Sequence, residues 1–408
     1  MRLLILSQNY EPEPIPKTSD LAKAFHKRGH SVSVITGFPN YPTGKLYPGY
    51  KLSLLKNKQF EGVNLTRTFV YPYHGKSAVG RIINYASFML TAPLGLLTCG
   101  PVDVIYVWHP PLTIGIAAWI IARIRGVPFV YDVQDIWPEV LILSGMLKHG
   151  LFSDLLARLE KFVYRQADRI FTVTDGAREN LIGKGALPEK VMVMPHWMDE
   201  NLFESVDDTD VTELRQELGF DGKFVVLFAG NFGLVQGLDT VIKAAESLQE
   251  NENILIMFVG DGVDKQRLVN LVDSKDLNQR VKFISRQPME RMPVFMAASD
   301  ALLVHLKKSP ISEYIIPTKT MAYLAAGKPI VMATEGASAD IVQKSGAGLI
   351  VAPDQPLALA DAIMELESLP EEERISMGRV GREYFLMNYS KSVVMQQYED
   401  TLKEVAGL

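Results

Sequence analysis

The chain has 408 residues, of which 47% are hydrophobic and 22% are charged, so it is long enough for two globular domains with sizeable cores. Its single cysteine, Cys99, excludes an intrachain disulfide and favours a reducing compartment. The apolar run at residues 3–6 is too short for a signal peptide and predicts a buried first strand instead.

Positive charge is concentrated near the amino terminus, although the net charge of the chain is −5. Residues 17–81 contain 11 basic and 2 acidic side chains, and the basic ones include Lys45, Lys51, Lys56, Lys58, Arg67, Lys76 and Arg81. This asymmetry predicts an anionic surface as a partner. Nucleic acid is not expected, because no binding motif occurs and aromatic residues do not interleave with the basic ones at regular spacing.

Two uncharged runs, at residues 82–102 and 104–122, follow the basic region. Each is long enough to span a bilayer, but Pro93, Gly95 and the pair Pro110 and Pro111 interrupt them. We therefore predict buried core, with an interfacial apolar helix as the alternative, and a half-exposed helix would satisfy both. The expected location is cytoplasmic and peripheral, at the inner face of the cytoplasmic membrane.

In the first half, short apolar strands alternate with helical segments. Strands are predicted at residues 3–6, 30–35, 102–107, 128–132, 169–174 and 191–194. Helices are predicted at residues 19–28, 112–125 and 151–167. This order is typical of a parallel sheet with crossover helices.

The same α/β pattern restarts after an acidic link at residues 199–210. Strands are predicted at residues 224–229, 254–259, 281–284, 301–304, 329–333 and 348–351, with a helix at 238–249. The sequence therefore predicts two doubly wound, Rossmann-like domains that face each other across a cleft. Ligands of such sheets bind at the carboxyl ends of the strands.

The most informative segment is residues 317–331. Pro317 and Thr318 predict the start of a helix, and Gly327 predicts its end. Lys319, in the first turn, is unfavourable for the helix dipole, which indicates that an anion such as phosphate binds there. The alternative is an ordinary helix with a solvated lysine.

Glycine-rich loops follow two of the predicted strands in the second half. Gly230 and Asn231 open a loop with three glycines in eight residues, which allows a ligand to approach the backbone closely. Gly260 and Gly262 make a partial dinucleotide-binding fingerprint, but its third glycine is missing. A dehydrogenase is therefore disfavoured.

The order of these motifs resembles the donor domain of glycosyltransferase family 4, which has the GT-B fold. The motifs that carry the resemblance lie at residues 230–231, 259–262, 281–284, 298–300 and 323–329. In the first half, residues 28–32, 131–139 and 194–199 are similar to segments of bacterial surface-polysaccharide glycosyltransferases. These include enzymes of O-antigen, capsule and colanic acid synthesis and transferases of L-fucosamine type.

The resemblance implies an acceptor-binding domain at residues 1–200 and a donor-binding domain at 201–385. Residues 386–408 are expected to form a C-terminal helix that packs back on the first domain. The implied reaction is a retaining transfer from a nucleotide-diphosphate sugar, expected to be a UDP-sugar such as UDP-N-acetyl-L-fucosamine, to a lipid-linked saccharide acceptor. A GT-B epimerase acting on UDP-sugars and a non-catalytic donor-binding or assembly protein are the alternatives.

The family's motifs assign roles to individual residues. The expected donor-binding residues are Gly230, Asn231, Gln236, Gly260, Arg286, Pro317, Thr318 and Lys319. His109 and Asp135 are the expected catalytic residues, and Glu139 and Lys17 the expected acceptor-binding ones. His109 follows a strand at a position where the family often has a histidine near the transferred sugar, although a capped loop histidine is the alternative.

The chain departs from the family at its charged donor contacts. Asn231 and Gln236 occupy positions where the family commonly has arginine and lysine, and Tyr314 and Ala322 those of its two glutamates. Another cation must therefore meet the donor phosphates. Lys319 is the first candidate; Lys307 and Lys308 are the second.

No metal or other cofactor is expected. Asp208, Thr209 and Asp210 have the form of a metal-binding Asp-x-Asp motif, but they precede a predicted helix at 211–218. Acidic residues suit a helix start without any metal. The histidines do not have the spacing of metal ligands.

Overall fold

The computed structural model describes residues 1–75, 77–143, 150–204, 206–248 and 251–408. Lys76 of the predicted basic region and Gln249, the predicted end of a helix, lie outside the described residues. The chain divides into two compact units. Unit 1 comprises Met1–Met194 and Met395–Leu408, and unit 2 comprises Pro195–Val394, so the boundaries differ from the predicted ones at 200 and 385.

Unit 1 is built on an eight-stranded sheet. Its strands are β1 (Arg2–Leu6), β2 (Ser31–Gly37), β3 (Leu55–Phe60), β4 (Val63–Thr68), β5 (Val104–His109), β6 (Phe129–Val133), β7 (Arg169–Thr172) and β8 (Val191–Val193). They lie in the order β3-β4-β2-β1-β5-β6-β7-β8. All pairs are parallel except β3 with β4. The chain order reverses between β1 and β5, which makes this the switch point of the sheet.

Helices connect the strands of unit 1. They are α1 (Pro16–Lys27), α2 (Ala78–Thr91), α3 (Ile114–Arg125), α4 (Glu139–Leu143), α5 (Leu151–Gln166) and α6 (Asp175–Gly183). Among the described residues, no helix is both long and apolar enough to cross a bilayer.

Unit 2 is built on a six-stranded parallel sheet. Its strands are β9 (Phe224–Asn231), β10 (Ile254–Asp261), β11 (Val281–Ile284), β12 (Ala301–His305), β13 (Ile330–Ala333) and β14 (Gly348–Val351). They lie in the order β11-β10-β9-β12-β13-β14, so the switch point is between β9 and β12. Alternate side chains of these strands enter two apolar cores, one on each face of the sheet.

Helices cover both faces of this sheet. They are α7 (Asp208–Leu218), α8 (Leu238–Ser247), α9 (Lys265–Ser274), α10 (Met292–Ala297), α11 (Thr318–Ala326), α12 (Ala337–Ser345), α13 (Pro356–Ser368) and α14 (Glu371–Asn388). The last helix, α15 (Lys391–Ala406), begins in unit 2 and ends in unit 1.

Two neighbouring residues of α15 fix its second part to unit 1. The Tyr398 hydroxyl donates to the Asp132 carboxylate at 3.2 Å. Glu399 accepts from Arg28 at 2.7 Å and lies 3.0 Å from the His30 ring nitrogen. Burial alone would raise the pKa of Glu399, but hydrogen bonds from Lys403, Arg28 and His30 lower it to about 2. The end of the chain is therefore held by charged hydrogen bonds.

The predicted strands and crossover helices are present, and the first half also contains elements that were not predicted. They are the antiparallel hairpin of β3 and β4 and the helices α4 and α6. Asn84 and Phe88 of α2 are buried, whereas Ile82 and Ile83 are exposed. The run at 82–102 was predicted as buried core with an interfacial helix as the alternative, and its first part forms the half-exposed helix that satisfies both.

The structure also corrects the predicted basic surface. Arg67 is buried, and its guanidinium donates to the carbonyl oxygens of Gly37 and Glu11. It therefore joins the loop after β1 to the end of β2 and does not present its charge to solvent. Lys51, Lys56 and Lys58 are exposed, as that prediction requires.

Candidate functional site

Two glycines bring the backbones of β9 and β10 close together at the carboxyl edge of the unit 2 sheet. Gly230 and Gly260 have φ values of 141° and 151°, which L-side chains rarely adopt. A Cβ atom on Gly260 would lie 1.9 Å from the Gly230 carbonyl oxygen. Only glycine fits here, so the end of β9 is left without side-chain cover over its backbone.

Helix α11 points its N-terminus toward this edge. It starts after Pro317 without a side-chain cap or an acidic residue in its first turn, and it ends at Gly327 in the left-handed conformation. The Tyr323 hydroxyl accepts a hydrogen bond from the Ala229 backbone amide at 2.8 Å. This contact ties the helix directly to the end of β9.

The Lys319 side chain extends from the first turn of α11 to the end of β9. Its Nζ atom lies 3.6 Å from the centre of the Phe228 ring and donates to the Gln236 side-chain oxygen at 2.9 Å. A Cβ atom on Gly230 would lie 3.4 Å from the same nitrogen. The structure thus brings together three predicted donor-binding residues, Gly230, Gln236 and Lys319, and Pro317 directly precedes the helix that carries Lys319.

Burial lowers the pKa of Lys319 to about 7. Among the described residues, no carboxylate forms an ion pair with its ammonium group. A desolvated cation beside exposed glycine backbone and an uncapped helix start is a suitable place for a phosphate group, because all three attract an anion.

The second candidates for the phosphate contact, Lys307 and Lys308, lie just after β12. Lys307 and Lys308 are both exposed, and the Lys308 ammonium lies 3.3 Å from the Glu335 carboxylate. Neither is desolvated as Lys319 is. Lys319 therefore remains the first candidate for the phosphate contact.

Three further predicted donor-binding residues are exposed, and the structure does not bring them to the Lys319 ammonium. Asn231 is exposed directly after β9, and its amide lies near Gly233. Arg286 is exposed after β11, the edge strand two positions from β9. Thr318 is an exposed residue at the start of α11.

In unit 1, His109 is the last residue of β5, at the switch point of the sheet. Its imidazole is buried against the Tyr131 and Trp137 rings, whose centres lie 5.6 Å away in both cases. Burial, with a smaller contribution from the Lys184 charge, lowers the pKa of His109 to about 3. The ring is therefore neutral at pH 7, and its Nδ1 atom has no hydrogen-bond partner among the described residues.

Asp135 and Glu139 follow β6, and they have different surroundings. Asp135 is half-buried, and burial raises the pKa of its carboxyl group. The Glu139 carboxylate accepts from the Lys184 ammonium at 2.7 Å. Lys184 also donates to the Trp137 carbonyl oxygen at 2.6 Å and to Glu160 at 3.1 Å. Glu139 is thus part of an ion-pair network that fixes the segment after β6.

Lys17 lies in the first turn of α1, beside the buried Asp132 carboxylate. Its Nζ atom is 4.9 Å from the centre of the Trp108 ring and 3.5 Å from the Gln134 side-chain oxygen. Burial lowers the pKa of Lys17 to about 8, against the raising effect of Asp132. The Asp132 carboxylate accepts hydrogen bonds from Tyr106, Tyr398 and Gln134. It is therefore the centre of a buried hydrogen-bond network and is not exposed to solvent.

No candidate metal centre emerges from the part of the chain that the structure describes, where no three His, Cys, Asp or Glu side chains come together in a suitable group. Asp208 and Asp210 lie in the first turn of α7, and the Asp207 side chain caps that helix by accepting from the Thr209 amide. The acidic motif therefore has a local structural explanation.

Sequence reasoning missed Phe228, His305 and Tyr323 around Lys319. Tyr323 belongs to the family motif at residues 323–329 but was not assigned a donor contact, and no motif includes Phe228. His305 was set aside because it has no metal-ligand spacing, yet its position offered a signal, since it ends β12 beside the switch point as His109 ends β5. A histidine at the end of a central parallel strand lies where ligands of such sheets bind.

Two family models match the chain. The model described as glycosyl transferases group 1 matches residues 210–384, and the one described as glycosyl transferase 4-like domain matches residues 15–197. WcaI of Escherichia coli K12, named as a colanic acid biosynthesis glycosyl transferase, is 27% identical to this chain. The match covers 99% of this chain and 100% of WcaI. The glycosyltransferase WbjE of Pseudomonas aeruginosa is 30% identical over 67% of both chains.

Solved structures have a similar fold at low identity. HepE of Anabaena, solved in complex with UDP, has a TM-score of 0.73 and 20% identity over 99% of this chain and 100% of its own. Sucrose-phosphate synthase of Thermosynechococcus elongatus has a TM-score of 0.75 and 16% identity over 100% of both chains. These similarities confirm the predicted GT-B fold, with its two Rossmann-like units.

The desolvation of Lys319 predicts that Lys319→Met stabilises the ligand-free protein. The unfolded chain has an ordinary lysine pKa, so it binds more protons than the folded chain between about pH 7 and pH 10. The increase in stability of Lys319→Met over the native protein should therefore be largest below pH 7 and vanish near pH 10. Thermal unfolding across this range should show a higher midpoint, by roughly 2–4 °C per kcal/mol.

Lys243→Met, on the exposed face of α8, is the matched control and should leave the midpoint unchanged. An unchanged midpoint for Lys319→Met at every pH would mean that the ammonium group is already neutralised in the free protein.

Proposed function

Because the chain belongs to the group 1 glycosyltransferases, with a 4-like N-terminal domain and the GT-B fold, we propose that it is a retaining family 4 enzyme that uses a UDP-sugar. The observation that carries the donor proposal is the Lys319 ammonium, which is desolvated and has no carboxylate partner among the described residues. It supplies the positive charge that a sugar diphosphate needs at a point where Asn231 and Gln236 supply none. HepE, which was solved with UDP, supports uracil as the base.

In the proposed reaction, the bond between the anomeric carbon and the diphosphate oxygen breaks, and UDP leaves as an anion beside Lys319. The acceptor hydroxyl adds to the same face of the anomeric carbon and passes its proton to a diphosphate oxygen. Stabilisation of the leaving diphosphate by Lys319 and by the uncapped start of α11 is then the main catalytic contribution.

His109 and Asp135 are proposed to bind hydroxyl groups of the reacting sugars. His109 is neutral at pH 7, so it would exchange a hydrogen bond with a hydroxyl group and would not serve as a cation. Asp135, whose pKa is raised by burial, would accept from an acceptor hydroxyl. Lys17 would contact the acceptor. Glu139 would contribute mainly by its ion pair with Lys184, which holds the segment after β6 in place.

The proposed acceptor is a lipid-linked saccharide of surface-polysaccharide synthesis, as in O-antigen, capsule or colanic acid. WcaI, named for colanic acid biosynthesis and similar over nearly the whole chain, supports this class. UDP-N-acetyl-L-fucosamine is the first donor to test. The absence of the family's usual arginine, lysine and glutamates favours a non-catalytic binding protein as the second candidate.

The deciding experiment measures UDP release from a panel of UDP-sugars with and without lipid-linked saccharide acceptors. The transferase releases UDP only when donor and acceptor are both present. Conversion of a UDP-sugar without acceptor would mean an epimerase. Donor binding without turnover in any combination would mean a binding protein. A thermal-shift screen against UDP, GDP and dTDP sugars chooses the donor beforehand, since a ligand of the native state raises its stability.

Lys319 predicts a proton-coupled binding of UDP. At pH 8 its amine is mostly neutral in the free protein, and the UDP diphosphate is fully ionised because its last pKa is about 6. Binding should therefore take up a proton, which calorimetry in buffers of different ionisation enthalpy detects. Lys319→Ala should abolish the uptake and weaken binding by about 1.5–3 kcal/mol.

In this titration Lys308→Ala is the matched control, because Lys308 is exposed at the same edge of the sheet. Unchanged UDP affinity of a folded Lys319→Ala variant would remove Lys319 from the site. If Lys308→Ala weakens UDP binding and Lys319→Ala does not, the diphosphate contact belongs to Lys307 or Lys308.

We further propose that transfer needs no divalent metal, because Lys319 and the start of α11 provide positive charge at the diphosphate. Activity should be retained in excess EDTA. Loss of activity that Mg²⁺ or Mn²⁺ restores, and that Asp208→Asn with Asp210→Asn reproduces, would assign the acidic motif to a metal.

Unit 1 is proposed to attach to the membrane that carries the acceptor. The exposed side chains of α2 form an apolar stripe, with spacings of three, four and seven residues: Val79, Ile82, Ile83 and Leu90. Leu52 and Leu54 are exposed as well, between Lys51 and Lys56. Apolar side chains for the interface and lysines for anionic headgroups are the combination that peripheral attachment needs.

Attachment predicts salt-sensitive flotation with anionic liposomes. Each basic residue near the surface contributes about 1 kcal/mol, so Lys51→Glu, Lys56→Glu and Lys58→Glu together should abolish binding at low salt. Ile82→Ser with Ile83→Ser should weaken it at any salt concentration. Lys243→Glu with Lys344→Glu, in unit 2, is the control. Retention after a carbonate wash, or no binding at low salt, would contradict the proposal.

A further inference from the structure

His305, the last residue of β12, makes a short contact that neither the family's motifs nor the proposed reaction uses. Its imidazole is fully buried, and its Nδ1 atom lies 2.6 Å from the Gln236 carbonyl oxygen. A carbonyl oxygen only accepts hydrogen bonds, so Nδ1 carries the proton and donates it. Burial lowers the pKa of His305, which keeps the ring neutral, and its Nε2 atom is buried without a hydrogen-bond partner among the described residues.

The contact holds a 3₁₀ turn at Leu234–Gln236, between β9 and α8. The next residue, Gly237, is left-handed with φ 59°, and a Cβ atom there would lie 2.9 Å from the His305 ring. The Lys307 backbone amide donates to the Val235 carbonyl oxygen at 2.9 Å. The end of β12 therefore fixes two consecutive carbonyl groups of this turn, and the glycine lets the ring lie directly against it.

The same turn carries the side chain that holds the candidate phosphate ligand. The Gln236 side-chain oxygen accepts from Lys319 at 2.9 Å, while the Gln236 carbonyl oxygen accepts from His305 at 2.6 Å. One residue thus links the buried ring to the desolvated ammonium. The neighbouring Leu234 and Val235 are exposed, so little other packing fixes the turn on its outer side.

We propose that His305 is a positioning residue of the donor site, which holds Gln236 so that its side chain keeps the Lys319 ammonium beside Gly230. The proposal rests on the proposed function, because it assumes that Lys319 binds the donor diphosphate. His305 need not touch the donor. Its contribution is the pre-organisation of a charged contact, which a flexible turn would otherwise have to order during binding.

The test compares UDP affinity for His305→Phe, which keeps a ring but removes the donor, with His305→Asn, which offers an amide N–H near the position of Nδ1. His305→Phe should raise the Kd for UDP about 5- to 10-fold, the effect of one hydrogen bond. His305→Asn should recover most of the affinity. Equal loss in both variants would mean that the ring serves only packing and would overturn the proposal.

A double-mutant cycle separates positioning from general loss of structure. In a Lys319→Met background, His305→Phe should change UDP affinity by less than 2-fold, because His305 acts through Lys319. Full additivity would contradict the proposal. If Lys319→Met alone leaves UDP affinity unchanged, the proposed donor site itself is wrong. If it weakens binding while His305→Phe binds as the native protein does, only the role of His305 fails.

A measurement on the native protein keeps the proposal testable if His305→Phe folds poorly. Nitrogen-15 NMR of the 7 histidines should reveal one ring that is neutral at pH 7 and protonated at Nδ1, whose signals are lost in His305→Asn and shift on adding UDP. Protonation at Nε2, or signals that UDP does not move, would overturn it.

Discussion

The proposed donor site depends on one physical constraint, which is the cost of burying the Lys319 ammonium without an anion. Burial lowers its pKa to about 7. The ammonium group contacts the neutral Gln236 amide and the face of the Phe228 ring. These weak partners stabilise a cation less than a carboxylate would. The proposed site therefore favours an anion over water next to the ammonium group. The exposed backbone at Gly230 and the start of α11 define where that anion can lie.

Unit 1 deals with its buried charge in the opposite way. The Asp132 carboxylate is fully buried, but Tyr106, Tyr398 and Gln134 all donate to it, and the Lys17 cation lies close by. A satisfied network of this kind makes the surrounding structure rigid. Unit 1 thus surrounds its buried carboxylate with hydrogen-bond donors, whereas unit 2 buries a lysine that has no carboxylate partner among the described residues.

Local signals explain which parts of the fold could be predicted. Pro317 and Gly327 define α11 because each has a strong backbone preference at its own position. The β3–β4 hairpin was missed because its strands are rich in polar residues. Its two-residue turn has positive φ values at Glu61 and Gly62, 50° and 80°, and only Gly62 indicates this in the sequence.

The candidate site was less predictable, because its contacts join distant parts of the chain. Lys319 is selected by sequence, but Phe228, Gln236 and His305 come from two strands and the turn after one of them. The pairing of Glu139 with Lys184 likewise depends on two segments that sequence patterns do not connect. Arg67 looked like a surface cation until its two carbonyl partners were known.

Unit 1 is not a continuous stretch of chain, since its final segment, Met395–Leu408, follows the whole of unit 2. That segment supplies the Tyr398 hydroxyl to Asp132 and the Glu399 carboxylate to Arg28 and His30. A single crossover between two related genes would combine one protein's Asp132 network with the other's terminal helix. Exchange of unit 2 between relatives therefore requires two junctions, with the second inside α15 before Tyr398. Selection for matched buried partners would keep the two ends of the gene inherited together.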